Sequence, residues 1–407
     1  MHLVSLGEAV NLEKKKAFFV VFIAAVLLVS AFGIRELLSL EQPTGEEYRR
    51  RAEELLTQGR EEFENIRGIS VREVALEVVN QSWVEENWGE VSGSEREELL
   101  RGDNIYKALF LISQDYSLLD ARLEWTISFR AAKWQGKLYV VEENFDVTEE
   151  SRATGTFVHE LTHIMQETYS LPDRTKFDGS KALSALKEGD ATLMADTSKN
   201  GGVVPSPAEV IKSSSATIPE SVDKLNRFVY RYGLEFVKTL YDYNSGSWVS
   251  IDEAYLNPPT TTEQIIHPEK YIEQEQAKSV GAISVDDDWN LIETDSFGEY
   301  FVYVMLDNWI SDDDATEAAS GWGGDAFCYY EKDGEFCFTW NITWDTEYDA
   351  HEFDLAFQDM MYQISAEKHN CSYWSANGRY IYFEVNGSST LIVSSPDEEM
   401  IQQSFLD

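Results

Sequence analysis

Basic residues are scarce in this chain. Lys and Arg number 33 against 73 Asp and Glu over 407 residues, giving a formal net charge of −40. That imbalance excludes a nonspecific nucleic-acid binder and a protein that docks on anionic membranes, since both need basic patches. An acidic surface this dense repels itself in dilute salt and suits a high-salt habitat that screens the repulsion. The plainer reading is a soluble acidic ectodomain. Cysteine is scarcer still: Cys328, Cys337 and Cys371 are the only three, so at least one is unpaired, and no C-x-x-C pair offers a cysteine zinc site. No internal repeat and no strong domain boundary are present. What remains is ample for a packed core, with 43% hydrophobic and 13% aromatic residues, which excludes a disordered protein.

There is one long apolar run. Residues 1–16 end in Lys14-Lys15-Lys16, and Ala17 to Ile34 follows as 18 uncharged residues. That length spans a bilayer as a helix. The lysines on its N-terminal side predict a cytoplasmic N-terminus, an anchor over 17–34, and an exported remainder, hence a single-pass cell-membrane protein. A cleaved signal peptide is the rival reading, although no small-x-small site follows the run. Residues 35–45 read as a linker.

Histidine is also thin, six in all, yet two of them fall in Val158-His159-Glu160-Leu161-Thr162-His163. In a helix, residues four apart share a face about 6 Å apart, so His159 and His163 can turn two imidazoles to one zinc ion. Glu160 is rotated by about 100° and can work on the water beside the metal. A catalytic zinc site commonly has three protein ligands and one open position. Glu188, in Leu186-Lys187-Glu188-Gly189-Asp190-Ala191, is the best third ligand, with Asp190 and Asp196 as alternatives. The context is helical: Asp146-x-x-Glu149 reads as a capping box, and Val158, Leu161 and Met165 form an apolar face.

This pattern resembles the gluzincin metallopeptidases, in which two histidines of H-E-x-x-H and a glutamate on a later helix bind zinc. It is most similar to a group of uncharacterised archaeal surface proteins with three shared segments. These are His159–His163, Pro258-Pro259-Thr260-Thr261-Thr262-Glu263-Gln264-Ile265-Ile266-His267-Pro268, and Gly321–Asp325 with Trp344–Glu347. The resemblance implies an α+β, zincin-like fold over 46–280, mainly helical, with a C-terminal helix and β-hairpin region over 281–407 that completes or flanks it. It implies a zinc peptidase acting on peptide or protein substrates. His267 is then the expected oxyanion donor, with Tyr255 competing. It also implies that the strand at 136–142 pairs with an extended substrate. The alternative is a non-catalytic surface protein that keeps the fold as a binding or envelope module.

The rest of the chain is read as structural. Helices are expected from Glu46 to Ile66, from Ser70 to Asn80, from Ser94 to Ser113, from Lys181 to Thr197 and from Val222 to Tyr243. Asp333-Gly334 and Asn386-Gly387 read as two-residue hairpin turns, and Thr346 as the N-cap of a helix over 347–365. The first turn sets Cys337 opposite Tyr330 and Cys328 opposite Thr339, a diagonal near 7 Å that is long for a disulfide.

Overall fold

The computed structural model describes residues 42–127, 129–205 and 218–406. Its first part contains α1 (Gly45–Arg67), β1 (Leu76–Val79), α2 (Gln81–Trp88), α3 (Gly93–Ala108), α4 (Leu118–Ile127), β2 (Ala131–Trp134) and β3 (Lys137–Val141). Then come α5 (Glu150–Gln166), α6 (Phe177–Lys199), α7 (Glu220–Tyr243), α8 (Val249–Leu256), α9 (Thr262–Ile266) and α10 (Pro268–Ile272). The last part runs β4 (Asn290–Asp295), α11 (Gly298–Asp307), α12 (Asp312–Ala319), β5 (Trp322–Lys332), β6 (Glu335–Trp344) and α13 (Glu347–Gln363). It closes with β7 (Glu367–Lys368), β8 (Tyr373–Ala376), β9 (Arg379–Asn386), β10 (Ser389–Ser395) and α14 (Glu398–Ile401).

Helix α6 is central because it is buried on almost every side, from Ala182 through Ala195. It packs against α5 on one side and α7 on the other. The crossing with α7 depends on glycine. A Cβ on Gly189 would lie 2.1 Å from the Gly233 carbonyl oxygen, and one on Gly233 would lie 2.3 Å from that of Ala185. The two backbones therefore touch, and no rotamer could relieve an added methyl group. Gly189→Ala is expected to cost about 3 kcal/mol, the upper end for overpacking, read as a lower urea midpoint with an unchanged slope.

The architecture differs from the mainly helical fold with C-terminal hairpins expected above. It is a mixed α/β arrangement with two sheets. The smaller has the order β1-β3-β2, and the larger is a seven-stranded antiparallel sheet of order β4-β5-β6-β10-β9-β8-β7. The two hairpins do form, and Tyr330 faces Cys337 while Cys328 faces Thr339. What was not anticipated is that β6 pairs with β10, joining both hairpins into one sheet. All three cysteines are free. One face of the sheet (Phe327, Tyr329, Phe338, Trp340) joins α6, α7 and α11 in a single core that crosses residue 280. The other face (Tyr330, Cys337, Tyr382, Val393) is covered by Trp289, Met400 and Ile401.

Several local expectations also need correction. Ser70 does not open a helix; the chain there leads into strand β1, whose Leu-Glu-Val-Val is β-branched at its end. Asp146 forms a turn with Thr148 instead of a capping box, and α5 begins at Glu150 with no side-chain cap. Among the described residues no helix is long and apolar enough to cross a membrane. The single-pass membrane assignment is therefore withdrawn, and the run Ala17–Ile34 lies outside the described residues.

The segments Pro258–Pro268 and Gly321–Asp325 both reach the junction between the helices and the sheet. Asp178, near the start of α6, accepts hydrogen bonds from the Thr262 amide (2.7 Å) and hydroxyl (2.6 Å). Asp325 accepts from the amides of Phe297 (2.9 Å) and Gly298 (3.1 Å) at the start of α11 and from the Trp340 indole (2.9 Å). Asp295 accepts from the amides of Phe177 and Ser296, both at 2.7 Å. Burial raises the carboxyls of Asp178 and Asp325 and pushes those of Asp295 and Glu263 up to about 7. Acids with raised folded-state values bind protons more tightly folded than unfolded, so they lower stability as pH rises from the ordinary carboxylate range toward 7. The protein should lose about 1 kcal/mol per pH unit for each such proton over that interval. Asp295→Asn keeps the acceptor oxygen, and it should flatten this slope in denaturant midpoints measured across the window.

Candidate metal centre

Beyond its exposed first two residues, helix α5 is buried all round except for one stripe: Arg152, Thr156, His159 and His163. The apolar residues between, Phe157, Val158, Leu161 and Ile164, anchor it in a core with Leu55, Phe63 and Val140. The helical period thus leaves both motif histidines on the only open face, and α6 runs beside it with Glu188 turned toward them. The His159 Nε2 and His163 Nε2 atoms are 3.1 Å apart. Glu188 Oε2 lies 3.3 Å from the first and 3.5 Å from the second. These three residues form one of two groups among the described residues that could hold a metal ion.

The spacing fits ligands around one small ion. Ligands at about 2.0–2.1 Å from a tetrahedral ion are separated by about 3.3–3.4 Å, and the three observed separations bracket that value. Glu188 is 3% exposed, and its Oε2 has no hydrogen-bond partner. A buried carboxylate oxygen of this kind needs positive charge in front of it, from a metal ion or from a protonated imidazole. Burial alone would raise the Glu188 carboxyl, but the two imidazoles overcome it and hold it well below the usual carboxylate range. The histidine side chains keep 16% and 11% exposure against 4% for Glu188, so the centre opens to solvent on their side. Glu160 is 5% exposed, acts electrostatically on His163, and makes no hydrogen bond or ion pair among the described residues.

The alternatives to Glu188 are committed elsewhere. Asp190 accepts from Arg67 Nη1 at 2.8 Å, and Asp196 pairs with Lys199 at 3.0 Å. Neither proposed oxyanion donor joins the centre. His267 Nε2 is 3.0 Å from Glu299 Oε1, beside the junction at the far end of α6. Tyr255 is 2% exposed and donates its hydroxyl to Asp190 at 2.8 Å. Strand β3 is interior, with β1 parallel on one side and β2 antiparallel on the other, so it has no free edge for a substrate. The second group, Glu263, Glu275 and Asp345, is already occupied by the Lys270 ammonium, which pairs with all three.

Sequence reasoning missed the residues behind the histidines. Gln166 Oε1 is 2.9 Å from His163 Nδ1, and its amide nitrogen reaches the Lys187 carbonyl (2.9 Å) and the Tyr255 hydroxyl (2.8 Å). Its position three residues after His163 was the one signal available. Arg67, distant in sequence, gave none.

Fold and site together define a mixed α/β protein with a half-buried two-histidine, one-carboxylate centre between two antiparallel helices. A family described as a domain of unknown function (DUF8575) matches residues 290–404, which covers the larger sheet and its helices but not this centre. No curated protein and no solved structure matches the chain.

Proposed function

We propose that the chain is a zinc-dependent metallopeptidase of the gluzincin type, with zinc held by His159, His163 and Glu188. The observation that carries this reading is the buried Glu188 Oε2 facing two imidazole nitrogens at ligand-to-ligand distances. Zinc there would supply Lewis acidity toward a peptide carbonyl and acidify a water. The side chains do the rest. Glu160 takes the proton from that water as its oxygen bonds to the carbonyl carbon. As the C–N bond breaks, Glu160 passes that proton to the leaving nitrogen; the second proton of the water stays on the new carboxyl group until it moves to the amine, so a carboxylate and an ammonium depart. Glu160 is buried, and its charge acts on the neighbouring His163. Incubation of the zinc-loaded protein with a peptide library, followed by mass spectrometry, tests this. Cleavage lost on chelation and restored by zinc is expected; a zinc-loaded protein that cleaves nothing would overturn it in favour of a binding module.

A further inference from the structure

We infer that Gln166, Tyr255, Asp190 and Arg67 form a positioning relay that holds His163 in the tautomer with its Nε2 lone pair turned to the metal centre. The inference rests on the metal-site reading, but its first test does not. The direction of the relay follows from groups that have only one option. The Lys187 carbonyl can only accept, so the Gln166 atom 2.9 Å away is the amide nitrogen. Asp190 is 0% exposed and takes the Arg67 guanidinium on one oxygen, so its other oxygen accepts from the Tyr255 hydroxyl. That leaves the Tyr255 oxygen to accept from the same Gln166 nitrogen at 2.8 Å. The Gln166 carbonyl oxygen is thereby turned to His163, and His163 Nδ1 must donate to it at 2.9 Å. A neutral imidazole protonated on Nδ1 carries its lone pair on Nε2, the atom that faces His159 and Glu188.

The relay is built to be stiff. Gln166 is 1% exposed and Arg67 7%. Arg67 is the last residue of α1 and also bonds Asp252 at 2.8 Å, so three helices outside the motif fix one histidine. This gives α1 a role at the centre that nothing in the H-E-x-x-H pattern suggests.

Nitrogen-15 NMR of the metal-free protein, at a pH where the ring is neutral, reads the His163 tautomer directly, and zinc competition reads its consequence. Nδ1–H is expected in the wild type and a mixture in Gln166→Met. Zinc affinity should fall by about 10- to 100-fold in Gln166→Met and less in Tyr255→Phe. Urea midpoints of the metal-free variants separate this from simple unfolding. An Nε2–H ring in the wild type, or zinc affinity within about twofold of wild type in a correctly folded Gln166→Met, overturns the relay. Zinc failing to bind a wild type whose ring is Nδ1–H would leave the relay standing and overturn the peptidase reading instead.

Discussion

The purified protein is expected to carry one zinc ion per chain, and Glu188→Gln is expected to lose it. A four-ligand zinc site gains about 10–16 kcal/mol, so one ligand is worth roughly 3 kcal/mol. That corresponds to more than a hundredfold in affinity. The amide has nearly the shape of the carboxylate but lacks the charge that offsets the cation. Metal analysis of protein prepared in high salt, with a zinc competition titration, measures this. The wild type should also lose thermal stability on chelation, because zinc at a thousand times its Kd adds about 4 kcal/mol. If the wild type holds no zinc after reconstitution, the trio is an ion-pair cluster in which a protonated His163 stands beside Glu188. Burial opposes protonation of His163, but the Glu188 charge beside it raises its affinity for a proton overall, which makes that outcome physically coherent.

The second large effect concerns Glu160. Glu160→Gln should keep its zinc and lose turnover by about 10²- to 10⁴-fold, the range ascribed to a positioned general base. The residue is buried beside His163 yet outside the group of three close ligand atoms, so zinc content and activity should separate. Measured on any peptide that the wild type cleaves, near-normal turnover by the variant would sink the mechanism. His267→Ala is a useful contrast. The pairing of His267 with Glu299 predicts unchanged zinc content, with any loss appearing in stability.

Part of this was legible in the chain because it depends on local periodicity. The four-residue spacing of His159 and His163, the apolar residues between them and the two turn dipeptides each operate within a few residues. Helical and strand geometry then fix their consequences. The register of the first hairpin follows in the same way, down to Tyr330 opposite Cys337. Asp146 shows the limit even at short range: a side chain that can cap a helix can equally close its own turn, and here it does.

What the sequence by itself determined was a helix with two imidazoles on one face, a glutamate on a second helix, and strands joined by tight turns. Only the tertiary structure decided that Glu188, not Asp190 or Asp196, meets those imidazoles, because Arg67 lies 123 residues away from the Asp190 it engages. It also removed Tyr255 and His267 from the centre, moved β3 into the middle of its sheet, and joined two hairpins through the β6–β10 pairing. The physical reason is the same in each case. A side chain has several acceptable partners nearby in sequence, and which one it takes depends on which distant backbone the packing of Gly189 on Gly233 and the shared core bring beside it.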